Sequence, residues 1–196
     1  MIELLPLSTY AFVMSITPGP NNVLLTASGA RFGYRRTLPH IVGIGAGRMV
    51  QTYATCLGFA ALLRDNPGLH QALRVAGTLY LFYLAWKMLG ASVKGVSEAQ
   101  PLSFWEGAAF QFVNPKAWVG AVTAASVFMP TTGSVWVARL AVTLTMQVVS
   151  FPCISTWALF GVAIRGVLTD EGRRKAFNVA MALLLVVTAG IMIRSQ

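Results

Sequence analysis

TPGPNN, at residues 17–22, interrupts an uncharged apolar run that extends from Leu4 to Ala30. Two prolines around a glycine cannot continue an α-helix, because each proline ring removes a backbone donor and clashes with the preceding turn. The run is long enough to cross about 30 Å of hydrocarbon at roughly 1.5 Å per residue. Broken backbone at that depth must be buried in protein or line a polar cavity, since lipid cannot satisfy its hydrogen-bonding groups. The motif therefore predicts a broken membrane helix with a functional site beside it.

A second break of the same kind is predicted at Asn114-Pro115-Lys116, within FVNPKAW at residues 112–118. The two breaks lie near the start of the first and second halves of the chain. Discontinuous helices at corresponding positions of two halves are typical of transporters whose binding site lies between the halves. We therefore predict one transmembrane domain over residues 1–196, built as two inverted three-helix repeats at about 1–96 and 97–196.

The composition indicates an all-α integral membrane protein. Hydrophobic residues make up 56% of the chain and charged residues only 11%, whereas soluble domains carry about 25% charged residues. The net charge of +9 does not predict a nucleic-acid partner, because the basic residues form short groups without an aromatic-interleaved basic face. The N-terminus lacks the basic region of a signal peptide, so we expect no cleaved leader.

Six apolar segments of about the length needed to span a bilayer follow one another. They are Leu4–Ala30, Pro39–Leu63, Leu69–Gly90, Trp105–Met129, Trp136–Ile164 and Ala176–Ile193. Of the fifteen Lys and Arg residues, nine lie in or beside the odd-numbered loops and four on the opposite side. Because the excess of basic residues stays in the cytoplasm, we expect cytoplasmic odd loops and both termini outside.

Motifs for the main catalytic and energising chemistries are missing from the sequence. It contains no GxxxxGK[ST], HExxH or GxSxG, and all six acidic residues fall in loops or at segment edges. This argues against an ATP-driven pump, an intramembrane enzyme and a divalent-metal carrier. Cys56 and Cys153 lie in apolar segments without a CxxC pair, so we interpret both as core residues. No cofactor and no bound metal are predicted, which leaves binding and passage of a small molecule.

Arg48 is the most informative charged residue. With Gln51, Thr52 and Thr55 it forms a polar stripe at i, i+3, i+4 and i+7 on the second segment, as on one face of a helix. A cation at this depth is costly unless it faces water or a partner. Two interpretations remain open: the side chain snorkels to the headgroups, or it faces inward and pairs with a substrate carboxylate.

The remaining candidates cluster at the two breaks. Asn21 and Asn22 either cap the broken helix or contact the ligand, while Lys116 is the second cation within a segment. In the fifth segment Gln147 shares a face with polar neighbours, for which hydrogen bonding between helices is the simpler use. The candidate substrate-binding residues are Pro18, Gly19, Pro20, Asn21, Asn22, Arg48, Gln51, Gln111, Asn114, Pro115, Lys116 and Gln147.

Several stretches together resemble the LysE/RhtB family of amino-acid exporters. They are TPGPNN, GARFGYRRTLPHIVGIGAG at 29–47, GTLYLFYLAWKML at 77–89, LSFWEGAAFQFVNPKAW at 102–118 and NVAMALLLV at 178–186. Within the family the chain looks most like the cysteine and O-acetylserine exporter branch. Many members carry an acidic residue where this chain has Asn21, so the resemblance assigns no proton-relay role to that position.

The resemblance implies a secondary exporter of amino acids in the bacterial inner membrane, exchanging its substrate for protons. The implied partners are an amino acid, protons and membrane lipid, and a homo-oligomer is compatible with them. Since no buried acid would balance a cationic side chain, we favour a neutral amino acid of the cysteine/O-acetylserine or homoserine/threonine type. An ion or divalent-metal exporter of related architecture is the main alternative, and a membrane enzyme or structural subunit a remoter one.

Overall fold

The computed structural model describes residues 3–59, 61, 65–90, 100–130 and 133–194, whose regular structure is helical. The helices are α1 (Leu4–Ile16), α2 (Pro20–Phe32), α3 (Tyr34–Ala54), α4 (Pro67–Gly90), α5 (Phe104–Val113), α6 (Pro115–Phe128), α7 (Val135–Ala163) and α8 (Glu171–Arg194). A π-helical turn, Thr55–Phe59, follows α3, and a 3-10 turn, Ile164–Thr169, follows α7. The predicted repeat boundary near residues 96 and 97 lies outside the described residues.

Both predicted helix breaks are present. Helix α1 ends before the first motif and α2 begins at Pro20, while α5 ends at Val113 and α6 begins at Pro115. Proline at the first helical position is favourable, because its missing N–H would have no partner within the helix. Gly19, between α1 and α2, has a fully extended backbone with φ of −177°. The prolines therefore end one half-helix and begin the next in each segment.

The unbroken segments differ from the hydropathy pattern mainly at their ends. Helix α3 begins at Tyr34 and continues through Pro39, and α8 begins at Glu171 rather than at Ala176. Hydropathy locates only the apolar stretch of a helix, whereas the ends of membrane helices extend into polar residues. The predicted end of the second segment at Leu63 lies outside the described residues.

Three helix pairs form the body of the molecule. Helix α2 packs along α7, α3 packs along α5, and α4 packs along α8. The first broken segment therefore lies against the fifth, the fourth against the second, and the third against the sixth. Hydrogen bonds between the first and fourth segments bring the two breaks together, while α4 and α8 lie mainly against each other.

Glycines permit the close approach of the paired helices. A Cβ at Gly43 would overlap the backbone of Phe104, and one at Gly47 would lie 2.9 Å from the Cα of Ala108. Small residues at such crossings let the helix backbones approach closely, and the resulting van der Waals packing is one of the forces that associate membrane helices. The glycines of α3 therefore fix the position of α5, which leads into the second break.

Large apolar side chains cover the outside of the bundle, including Leu5, Trp86 and Val148, which are 79%, 70% and 70% exposed. Extensive apolar surface of this kind is unfavourable in water and suits a lipid surrounding. Among the described residues, two helical stretches are long and apolar enough to cross a membrane, Val135–Thr169 and Glu171–Ile191. The two broken segments are divided into shorter helices, and the polar stripe of α3 lowers its hydropathy, so these segments are not recognised as spans by length and hydropathy. The six predicted spans therefore stay a prediction.

We expect Gly43→Ala to destabilise the protein by about 1–3 kcal/mol, as overpacking does, because α5 must move away from α3. The control is Gly190→Ala in α8, where, apart from its two chain neighbours and the adjacent backbone of α8 itself, no described atom lies within 4 Å of the Cβ position. Alanine there should stabilise the helix by about 0.5–1 kcal/mol. The measurement is the midpoint of thermal unfolding in detergent, and equal midpoints would contradict the packing argument.

Candidate substrate-binding site

A cavity lies where the two breaks meet. The empty space between its lining atoms, together with open solvent at its mouth, is about 340 Å³. Helices α1, α2, α3, α6 and α7 contribute to its wall, together with the two breaks. The lining residues are Met14, Ser15, Gly19, Pro20, Asn21, Asn22, Arg48, Asn114, Lys116, Ala117 and Ile154.

The first break leaves carbonyl groups at the end of α1 that the helix itself cannot satisfy. The buried Asn22 donates from Nδ2 to the carbonyls of Ser15 and Thr17, at 3.0 and 2.8 Å. Trp157, on α7, donates from its indole nitrogen to the carbonyl of Ile16 at 3.1 Å. Asn22 thus serves the end of α1 and gives no side-chain cap to its own helix.

Lys116 crosses from the second break to the first. Its Nζ donates to the carbonyl of Thr17 at 2.6 Å, to Oγ1 of Thr17 at 2.9 Å and to the carbonyl of Pro18 at 3.0 Å. The side chain passes over Gly19, where a Cβ would lie only 2.8 Å from Cδ of Lys116. Glycine at position 19 therefore allows the lysine to reach the carbonyls.

The second break is stabilised in a similar way. Asn114 caps α6 by accepting a hydrogen bond from the backbone N–H of Lys116 at 3.1 Å. Gln51 on α3 donates to the carbonyl of Gln111 at 3.0 Å, and Trp118 donates to the carbonyl of Phe112 at 2.7 Å. Each break therefore takes one indole donor and one amide donor for the carbonyls of the preceding half-helix.

Asn21 and Gln111 link the two broken segments directly. Nδ2 of Asn21 donates to Oε1 of Gln111 at 2.9 Å, and Nε2 of Gln111 donates to Oδ1 of Asn21 at 3.2 Å. Such a reciprocal pair uses both polar ends of each amide. The uncharged side chain at position 21 therefore joins the two broken segments by hydrogen bonds.

Arg48 faces the interior of the bundle. Its Nη1 donates to Oγ of Ser15 at 3.3 Å and also to Oγ of Ser150, and the two hydroxyls are 2.8 Å apart. The guanidinium group is thus held between α1 and α7 and lines the cavity. Its orientation favours the inward-facing interpretation over snorkelling.

The cavity is cationic. Arg48 and Lys116 both line it, and no acidic side chain is among the described lining residues. The backbone N–H groups of Asn21 and Asn22 open α2 at the same place, and α2 has no side-chain cap. A helix N-terminus carries partial positive charge, which adds to that of the two cations. The electrostatics suit a ligand that carries an anionic group.

The structure brings most of the predicted site residues to the two breaks. Gln51 and Gln111 lie behind the lining and position it through hydrogen bonds. Gln147 is an exception, because it packs against Gly45 on α3 and is not among the lining residues. Elsewhere on α7, Ser150 forms a hydrogen bond with Ser15 of α1, whereas the buried hydroxyl of Thr143 has no partner among the described residues.

Some lining residues carry no signal in the sequence. Met14, Ala117 and Ile154 form an apolar part of the wall, and Ser15 shares the arginine with α7. Apolar and small residues in a membrane segment look alike whether they face lipid, core or cavity. The sequence points to Met14, Ser15 and Ala117 only because they lie near a predicted break.

A helical membrane protein whose two broken helices meet at a charged cavity has the construction of a translocator. A family model described as LysE type translocator matches residues 12–196. The chain belongs to this family. Its members are membrane transporters and not enzymes.

Curated bacterial proteins are similar to the chain over most of its length. The cysteine/O-acetylserine efflux proteins of Escherichia coli K12 and of Shigella flexneri are each 35% identical over 185 residues. That of Escherichia coli O139:H28 is 34% identical over the same length. Each match covers 92% of this chain and 92% of the relative. No solved structure matches the chain.

We expect Asn22→Asp to destabilise the protein by about 1–3 kcal/mol, because a buried carboxylate cannot donate to the carbonyls at the end of α1. Asn21→Asp is the matched comparison, because it loses one hydrogen bond of the reciprocal pair, keeps the acceptor for Nε2 of Gln111 and lies at a position that is only half-buried. Thermal unfolding of both variants in detergent checks the difference. A larger loss for Asn21→Asp would contradict the assignment of Asn22 as the residue that holds the break.

Proposed function

We propose that the protein is a secondary exporter that carries a neutral amino acid out across the bacterial inner membrane in exchange for protons. The single observation that carries the substrate class is the cavity between the breaks, with two cations and no acid among its described lining residues. Membership of the LysE family supports translocation. The names of the bacterial relatives favour cysteine or O-acetylserine as the substrate.

The carboxylate of the substrate binds at Arg48 and the N-terminus of α2. The hydrogen bonds that the structure describes for Arg48 start from Nη1 only, so Nε and Nη2 are available to grip a carboxylate. The backbone N–H groups of Asn21 and Asn22 have no side-chain cap, and they offer further donors in the same lining. An anion at this position interacts favourably with both the guanidinium group and the helix dipole.

The chemistry of the remaining lining residues suits a neutral side chain. Met14, Ala117 and Ile154 supply apolar wall, and the lining as described holds no carboxylate to balance a second positive charge. A lysine side chain would face Arg48 and Lys116 without a counter-charge, which is unfavourable in a desolvated site. The chemistry of the wall therefore favours a small, uncharged amino acid.

The helix pairing supports transport by two inverted repeats. The first segment packs against the fifth, the second against the fourth and the third against the sixth. This pairing is expected if a two-fold axis in the membrane plane relates segments one to three with segments four to six. Rocking of one repeat against the other would then open the cavity to each side in turn. Six membrane spans with both termini outside complete this proposal.

Reconstituted protein should exchange neutral amino acids. In proteoliposomes we expect counterflow of labelled L-cysteine, O-acetyl-L-serine, homoserine or threonine, with lysine at background. If protons drive export, an acidic outside should accelerate efflux of the loaded amino acid, and a protonophore should remove that acceleration. Efflux of a divalent metal without amino-acid counterflow would instead support the alternative exporter.

Substitution of Arg48 tests the carboxylate site. Arg48→Lys should weaken substrate binding by about tenfold, or about 1.4 kcal/mol, because lysine offers a point charge without the two-pronged geometry. Arg48→Gln should bind more weakly still. The measured quantity is the substrate concentration for half-maximal counterflow at matched expression.

The control for this series is Arg165, an exposed residue of the 3-10 turn after α7. Arg165→Lys should transport like the wild type. Wild-type behaviour of both lysine variants would mean that Arg48 is only an anchor for Ser15 and Ser150, and the carboxylate site would be assigned elsewhere.

A further inference from the structure

The two cationic side chains that line the cavity, Arg48 and Lys116, differ in how many of their hydrogen-bond donors are already used. Lysine has three N–H donors and no acceptor, and Nζ of Lys116 contacts three oxygen atoms of the first break. No donor of Lys116 is left for a substrate carboxylate in this arrangement. Arg48 retains donors, as described above. The two residues therefore cannot play the same part in binding.

The oxygen atoms around Nζ form a site suited to an ammonium group. Two are backbone carbonyls, of Thr17 and Pro18, and the third is the hydroxyl of Thr17. The carbonyls lie at the C-terminal end of α1, which carries partial negative charge. In broken transporter helices, unwound carbonyls and half-helix C-termini are the groups that coordinate cations.

We propose that these oxygens are the subsite for the α-ammonium group of the substrate, and that Lys116 occupies it while the transporter is empty. The proposal rests on the proposed function and deepens it. When an amino acid binds, its ammonium group replaces Nζ of Lys116 at the carbonyls, and its carboxylate goes to Arg48 and the α2 N-terminus. The site then holds a zwitterion with each end on a group of opposite charge.

Displacement of Lys116 would also release a contact between the repeats. Lys116 belongs to the second broken segment, and the carbonyls that it contacts belong to the first. The lysine therefore ties the two breaks together. A ligand that brings its own ammonium group satisfies the same carbonyls and releases the contact between Lys116 and the first break. Substrate binding is thereby linked to opening of the cavity.

The experiment removes the ammonium group of the lysine and measures binding of three probes in detergent. L-cysteine carries both charged groups, cysteamine keeps only the ammonium group, and 3-mercaptopropionate keeps only the carboxylate. In Lys116→Met, cysteamine should bind on the order of tenfold more tightly than in wild type, a change of about 1.4 kcal/mol. L-cysteine should also bind more tightly, whereas 3-mercaptopropionate should not.

Arg48→Gln should give the opposite pattern, with 3-mercaptopropionate lost and cysteamine retained. Lys87→Met, which removes an exposed lysine near the ring of Tyr83, should leave all three affinities unchanged. Lys116→Gln serves as a second variant if Lys116→Met does not fold. If the wild type exchanges a different neutral amino acid, the decarboxylated and deaminated forms of that amino acid replace the cysteine set.

Two results would overturn the proposal. If Lys116→Met binds L-cysteine and cysteamine no more tightly than the wild type, Lys116 is a structural tie or a carboxylate ligand. If sodium chloride stabilises Lys116→Met as much as cysteamine does, relative to choline chloride, the oxygens form a site for an inorganic cation. Both results are compatible with amino-acid counterflow by the wild type, whereas failure of the proposed function would remove that counterflow.

Discussion

The structure depends on the need to hydrogen-bond the broken backbone away from water. A helix interrupted inside a membrane exposes carbonyls that lipid cannot satisfy, and each one left unpaired costs several kcal/mol. At the end of α1, donors come from Asn22, Trp157 and Lys116. At the end of α5 they come from Gln51 and Trp118. These donors decide which helices must lie beside each break.

Several of the donors come from a distant part of the chain. Lys116 of the fourth segment serves the first break, and Asn21 of the first segment pairs with Gln111 of the fourth. Neither broken segment can therefore reach its present bonding without the other. If a charged ligand binds between them, as proposed, it acts on contacts that the fold itself requires, and the same few residues would then bear on both stability and transport.

The sequence predicts the breaks well because the stereochemistry of proline is local. The polar stripe that contains Arg48 likewise follows from helical periodicity, although the sequence leaves open whether the arginine faces inward or snorkels. The donors to the breaks are different. Trp157 lies on α7, far along the chain from Ile16, and no local pattern distinguishes its indole from that of an interfacial tryptophan. Gln147 follows the same periodicity as Ser150, yet packs against Gly45. Its surroundings depend on the helix crossing, which the sequence pattern does not specify.

The two indole donors have an optical consequence. Trp157 and Trp118 each hold the end of one half-helix through the ring nitrogen, at 3.1 and 2.7 Å. The emission of an indole responds to the hydrogen bonding and polarity around that nitrogen. Each tryptophan is therefore a native fluorophore placed on one of the two breaks. In a variant that keeps only one of these two tryptophans, with the other four replaced, the intrinsic fluorescence of the protein would report the movement of that one break without an attached label.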